Sequence, residues 1–165
     1  MARVSDAELQ QLASELRDRL LARGWMLATA ESCTGGWVGQ VLTALPGSSH
    51  WFERGFITYA NAAKIEMLGV PAETLAAHGA VSEETASAMA AGALAKSHAQ
   101  AALAITGIAG PGGGTPQKPV GLVCYGWALA DGTVMSSTCR LDGDREEIRS
   151  RAVAAALRGL IELIG

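Results

Sequence analysis

The run Ala28-Thr29-Ala30-Glu31-Ser32-Cys33-Thr34-Gly35-Gly36 places hydroxyls, a thiol and a carboxylate between an apolar stretch and the start of a helical one. A turn of this kind at a helix N-terminus sets nucleophilic side chains beside unpaired backbone N–H groups, where the helix dipole favours negative charge. The chemistry it suits is attack on a carbonyl, with an oxyanion or a phosphate held by backbone donors, so Thr34, Gly35 and Gly36 join the candidate substrate contacts. Ser32 and Cys33 are both candidate nucleophiles. A serine or threonine in that place is also an ordinary helix cap.

Either nucleophile needs a base. His50 follows a serine pair, His78 precedes a glycine turn and His98 ends a helix, contexts that suit exposed or capping residues, and neither HExxH nor CxxC metal spacing occurs. Lys64 is the available amine. It follows Asn61, the expected N-cap of a short helix, by three residues, where the dipole disfavours a cation and should lower the lysine's pKa toward a base's range. By position alone it is equally compatible with a solvated surface charge. A Ser–Lys pair needs no histidine, because the amine takes the nucleophile's proton and returns one to departing ammonia. Cys33 with Glu31 and Lys64 is the alternative set, and it requires an ionised thiol. Neighbouring side chains beside a tight turn are expected to point different ways, so only one of Ser32 and Cys33 should face the site.

Three further residues stand near this centre in the reading. Tyr59, at a strand end just ahead of the lysine helix, could orient the amine or donate to a substrate, or be an edge aromatic. Thr106 opens a glycine-rich loop over residues 106–114 whose N–H groups can cradle an anion, but the loop lacks the GK[ST] or GxGxxG frame of a nucleotide fingerprint. Arg145, after Asp142-Gly143-Asp144, opens the last helix against its dipole, which suits a residue facing phosphate or carboxylate. Pairing at i,i+4 spacing among Arg145, Glu146, Glu147, Arg149 and Arg151 accounts for it too.

The elements that must position these residues follow from periodicity. Leu9, Leu12, Leu16, Leu20 and Leu21 recur at helical spacing behind a Ser5 cap and predict a helix over residues 6–22. Residues 25–30 read as a strand, 37–45 as a helix ended by Pro46-Gly47, 55–59 as a second strand and 61–68 as a helix. A short helix over 72–76, a long alanine-rich one from Ser82 to about Ser97, and a buried strand over 101–105 come next. Residues 120–130 and 133–140 predict two strands joined at Asp131-Gly132, a pair favoured in type I′ turns. Asp144 caps a final helix buried through Val153, Ala156, Leu157, Leu160, Ile161 and Ile164. This order predicts one α/β domain over residues 1–165, a three-layer α/β/α sandwich on a mixed, mostly parallel five-stranded sheet. Ligands in such sheets sit where strands end and helices begin.

Composition bounds the function. At 165 residues, 49% hydrophobic and 5% aromatic, the chain suits a single close-packed domain rich in small residues. A net charge of −3 and a pI near 5.6 give no electrostatic basis for non-specific nucleic-acid binding. Cys33, Cys124 and Cys139 cannot all pair within one chain and suggest free thiols in a reducing cytoplasm. No apolar run approaches membrane-spanning length, and the first residues do not read as a secretion signal.

Taken together, Ala30-Glu31-Ser32-Cys33-Thr34-Gly35-Gly36, Trp51-Phe52-Glu53-Arg54-Gly55-Phe56-Ile57-Thr58-Tyr59, His78-Gly79-Ala80-Val81-Ser82, Thr106-Gly107-Ile108-Ala109-Gly110-Pro111 and Gly143-Asp144-Arg145 resemble the CinA C-terminal domain family, in order and from about Ser5 to the C-terminus. The likeness is to its stand-alone nicotinamide-nucleotide amidohydrolases. It implies hydrolysis of the carboxamide of nicotinamide mononucleotide, in pyridine-nucleotide recycling. It implies Ser32 as nucleophile and Lys64 as base, with Tyr59, Asn61, Thr106, Gly107 and Arg145 around the substrate. It further implies a homodimer and no metal or other cofactor. Longer members carry an additional N-terminal domain, whose separate activity is not carried over to this chain.

Overall fold

The computed structural model describes residues 2–165. Its elements run α1 (Asp6–Arg23), β1 (Leu27–Glu31), α2 (Trp37–Thr43), a 3-10 turn (Ser48–His50), β2 (Phe52–Ile57), α3 (Asn61–Leu68), α4 (Ala72–His78), α5 (Glu83–Ala95), β3 (Ala101–Gly107), β4 (Leu122–Leu129), β5 (Val134–Arg140) and α6 (Arg145–Ile164). The strands form one sheet in the order β2-β1-β3-β4-β5. β1 pairs parallel with β2 and β3, and β4 runs antiparallel to both its neighbours, so four strands share one direction. This is the expected mixed, mostly parallel α/β/α sandwich.

Alternation along the central strands separates two cores. Leu27, Leu103, Ile105, Val123, Tyr125 and Trp127 face α1, α2 and α6. Ala28, Ala30, Ala102, Ala104 and Ala128 face α5, whose inward residues are Ala86, Ala90 and Ala93 with the one large side chain Met89. Methyl groups on both sides let α5 lie close to the sheet. Gly92 then brings α3 in. A Cβ there would stand 2.0 Å from the Leu68 carbonyl oxygen, so only glycine admits this approach of α3, the helix that carries Lys64.

Local chemistry fixes the starts of three of the six α-helices among the described residues. Ser5 accepts from the Glu8 N–H and Ser82 from the Thr85 N–H. Asp144 and Glu147 form a reciprocal capping box at α6. Two expectations are corrected. The N-cap of α3 is Ala60, in extended conformation, whose carbonyl accepts from Ala63 and Lys64, while Asn61 is already helical and its side chain caps nothing. The β4–β5 turn is not type I′, because Asp131 keeps a negative φ. Gly132 alone is left-handed, its N–H bonds to the Leu129 carbonyl, and the Asp131 carboxylate accepts from Thr133. That is a type I turn closed by a glycine bulge.

Candidate active site

β1, β2 and β3 end at the same sheet edge, and each delivers part of the site. β1 ends at Glu31 and the chain turns at once through Ser32. The Ser32 N–H bonds to the Ile105 carbonyl of β3 at 3.0 Å, and the Thr58 N–H beyond β2 bonds to the Glu31 carbonyl at 2.8 Å. Strand alternation puts Ser32 on the α3 side and Cys33 in the core on the opposite side. The tight return into α2 is made by Gly35 and Gly36, both at positive φ.

Lys64 rises from α3 to meet Ser32. Its Nζ lies 3.1 Å from Ser32 Oγ, 2.9 Å from the Thr58 carbonyl oxygen and 3.2 Å from that of Tyr59. The residue is 1% exposed and Ser32 8%. No carboxylate is hydrogen-bonded to the amine, and its burial lowers the pKa from the ordinary 10.5. Burial, rather than a place directly behind a side-chain cap, is therefore the cause. Two carbonyls can accept the two hydrogens of a neutral amine, leaving its lone pair for the Ser32 hydroxyl.

The dyad opens into a cavity of about 270 Å³ whose lining includes Tyr59, Asn61, Thr106, Gly107 and Arg145. The Thr106 hydroxyl donates to the Ala80 carbonyl at 2.8 Å. Arg145 spans the mouth, donating to the Gly110 carbonyl at 2.8 Å and the Tyr59 hydroxyl at 3.1 Å. The i,i+4 alternative is realised instead by Arg151 and Glu147, at 3.4 Å. The lining includes Ala109, Gly110, Gly112 and Gly113, whose N–H groups meet no acceptor among the described residues. His50, His78 and His98 are exposed and away from this cavity. A second depression of about 750 Å³ adjoins it at Val81, where the Glu83 carboxylate accepts from the Ser136 and Thr138 hydroxyls, both at 2.7 Å.

Three expected contacts lie outside this lining. Thr34 is fully buried and its hydroxyl donates to Glu31 Oε1 at 2.7 Å, while Gly35 and Gly36 build the turn on the far side. The helix N-terminus that seemed open to a substrate anion already holds one. Glu31, 2% exposed, accepts from the N–H groups of Gly36 (3.2 Å), Val38 (3.0 Å) and Gly39 (3.1 Å). Its carboxylate acts as a remote cap for α2 and faces away from Lys64, which removes it from the Cys33-Glu31-Lys64 set. Cys33 borders the cavity, but its side chain packs into the core on the opposite side from Ser32, as expected of neighbours beside a tight turn, and burial pushes its thiol up to about 12. The residue the sequence reading placed elsewhere is Arg149. Its guanidinium holds the Cys33 and Thr34 carbonyls, and i,i+4 spacing carries no trace of that.

The family model of the CinA C-terminal domain matches residues 9–164. The chain belongs to the CinA C-terminal domain family. Among relatives of this CinA domain, the nicotinamide-nucleotide amidohydrolase PncC of Escherichia coli strain K12 is 51% identical over 95% of both chains. A CinA-like protein of Mycolicibacterium gilvum is 55% identical over 83% of this chain and 32% of its own length. The solved structure of the competence/damage inducible protein CihA from Agrobacterium tumefaciens superposes with a TM-score of 0.91 at 47% identity, covering 99% of this chain and 98% of that one. Among the described residues no helix of the CinA domain is long and apolar enough to cross a membrane, and no cluster of three His, Cys, Asp or Glu side chains could hold a metal.

Proposed function

We propose that the chain hydrolyses the carboxamide of nicotinamide mononucleotide to nicotinate mononucleotide and ammonia through a Ser32–Lys64 dyad, in pyridine-nucleotide recycling. The observation that carries the mechanism is the 3.1 Å approach of Lys64 Nζ to Ser32 Oγ in a pocket that favours the neutral amine. The substrate class is supported by the printed name of the Escherichia coli relative, which aligns with this chain almost end to end.

In the first half-reaction neutral Lys64 takes the Ser32 hydroxyl proton as Oγ bonds to the amide carbon, and the carbonyl electrons move onto oxygen. The donor proposed for the oxyanion is the N–H of Cys33, a residue that lines the cavity beside Ser32 and whose N–H donates to no other residue among those described. Collapse of the tetrahedral species breaks the C–N bond, and Lys64 returns its proton to the departing nitrogen, releasing ammonia and leaving an ester on Ser32. Water then attacks that ester, giving a proton to Lys64. The C–Oγ bond breaks, the proton passes back to Oγ, and the carboxylic acid so formed gives its proton to solvent or the released ammonia and leaves as the carboxylate. Arg145 and the free N–H groups of the 109–113 loop serve the substrate's phosphate or ribose, with Tyr59 and Asn61 at the mouth and Thr106 and Gly107 in the wall.

A homodimer is part of the proposal, supported by the exposed apolar side chains Ile57, Ile65 and Met67 on edge strand β2 and α3, and so is a cytoplasmic location, supported by three free cysteines. The deciding assay is ammonia and nicotinate mononucleotide release by the wild type, Ser32→Ala and Lys64→Ala. Each substitution is expected to lower turnover by about 10³-fold or more. Full activity in either variant overturns the dyad.

A further inference from the structure

The turn that carries Ser32 is fixed from outside by a cation that has no carboxylate partner among the described residues. Arg149 lies on the second turn of α6, half-buried, and its Nε donates to the Cys33 carbonyl at 3.0 Å while its Nη2 donates to the Thr34 carbonyl at 3.1 Å. The guanidinium lies 5.3 Å from the centre of the Trp37 ring, whose contact holds its plane. Among the described residues no carboxylate pairs with Arg149, although Glu146 and Glu147 are close in sequence. Those carboxylates are engaged by Arg3, and by Arg151 and the Asp144 N–H. A guanidinium left without a counter-ion and forked onto two successive backbone carbonyls sets their direction; it does not neutralise charge.

Peptide planarity transmits that direction to the donors. In a trans peptide the C=O and the following N–H point opposite ways, so a carbonyl pinned on one side fixes an N–H on the other. The Ser32 carbonyl is held by the Gly35 N–H at 3.1 Å, the Cys33 carbonyl by Arg149, and the Thr34 carbonyl by Arg149 and the Trp37 N–H at 3.0 Å. The N–H groups so aimed are those of Cys33, Thr34 and Gly35. Arg149 directly sets those of Thr34, which is fully buried outside the cavity, and of Gly35, which closes the turn on the Ser32 carbonyl and so aims the Cys33 N–H; that N–H is free among the described residues and belongs to a residue lining the cavity. We infer that Arg149 is a positioning residue that, by fixing the Thr34 carbonyl and with it the Gly35 N–H that holds the Ser32 carbonyl, keeps the Cys33 N–H in place for the anionic oxygen formed when Ser32 attacks. This rests on the reading of Ser32 as nucleophile.

The separating experiment measures kcat and KM for ammonia release from nicotinamide mononucleotide by wild type, Ser32→Ala, Arg149→Met and Arg149→Lys, with thermal unfolding of each. Methionine keeps the stem on Trp37 without the fork, and lysine keeps the charge without it. The expected result is a kcat about ten to a hundredfold lower in Arg149→Met, less than the roughly 10²–10³-fold cost of removing an oxyanion donor outright, with KM within about threefold and unfolding still cooperative. Arg149→Lys should recover only a small part of the loss, and methylguanidinium added to Arg149→Ala should restore activity in a saturable way. Arg149→Met with wild-type kcat, or a loss confined to KM or to unfolding, overturns the positioning role while the dyad stands. Full activity in Ser32→Ala, or none in the wild type, overturns the functional reading and this inference with it.

Discussion

Replacing Glu31 by glutamine removes one charge and almost no volume, and the structure says what that costs. The carboxylate takes three donors on Oε1, the Thr34 hydroxyl and the Gly36 and Val38 N–H groups, and one on Oε2, the Gly39 N–H. Four bonds to a charged acceptor at about 1.5–3 kcal/mol each contribute roughly 6–12 kcal/mol, and burying the carboxylate costs back several kcal/mol. Glutamine keeps three bonds at about 1 kcal/mol each, but its NH2 faces the Gly39 N–H and leaves that donor unsatisfied at a cost of about 1–3 kcal/mol. The difference is a destabilisation of about 2–5 kcal/mol, which for a chain of 165 residues corresponds to a Tm lower by roughly 4–20 °C. Urea unfolding followed by circular dichroism reads it directly, provided the m-value is unchanged. A Glu31→Gln variant within about 0.5 kcal/mol of wild type, a typical surface-substitution effect, would refute the argument that this carboxylate holds the start of α2.

Two further outcomes follow from burial around the dyad. Lys64 must be neutral to act, and its pKa lies below 10.5, so kcat/KM should rise with pH through that lowered value and level off above it; a rising limb centred at 10.5 or higher contradicts the buried base. Between the folded-state value and the ordinary one the unfolded chain binds the extra proton, so stability also rises with pH across that window and falls as pH drops through the folded pKa, a slope that Lys64→Met should abolish. With its thiol pushed up to about 12, Cys33 should resist alkylation in the native protein at pH 7.5, and Cys33→Ala should keep turnover within about fivefold, since a buried thiol supplies packing only. An inactive Cys33→Ala that still unfolds cooperatively would return the thiol to the reaction.

What the sequence made legible was local. Ser5, Ser82 and Asp144 announce their helices because the bonds that cap them join residues three apart. The sheet edge gathering Ser32, Lys64 and Thr106 follows from strands that alternate with helices. Expectations failed where a distant partner decided the outcome. β2 is Phe52–Ile57, not 55–59, because its pairing with β1 stops there and frees the Thr58 and Tyr59 carbonyls to receive Lys64. Asn61 has the chemistry of a cap, but the chain enters α3 one residue earlier. Glu31 reads as a possible catalytic carboxylate because nothing local shows a strand-end side chain reaching five to eight residues ahead. Arg149 was hidden in the same way, with 115 residues separating it from the Thr34 carbonyl.

The charges around the turn bear on why a lysine suits this site. Glu31 places a negative charge one residue from Ser32, which would oppose a second anion on the substrate oxygen, but four donors already face that carboxylate. Arg149 adds a positive charge on the outer side, and its pull is felt at the Cys33 thiol. In the proposed cycle Lys64 is neutral before attack and cationic after it, so the tetrahedral anion forms with its counter-charge about 3 Å from the reacting oxygen. Attack therefore creates an ion pair where two neutral groups stood. In a pocket that disfavours isolated charge, that change lowers the barrier more than a cation present from the start, whose attraction would also stabilise the ground state.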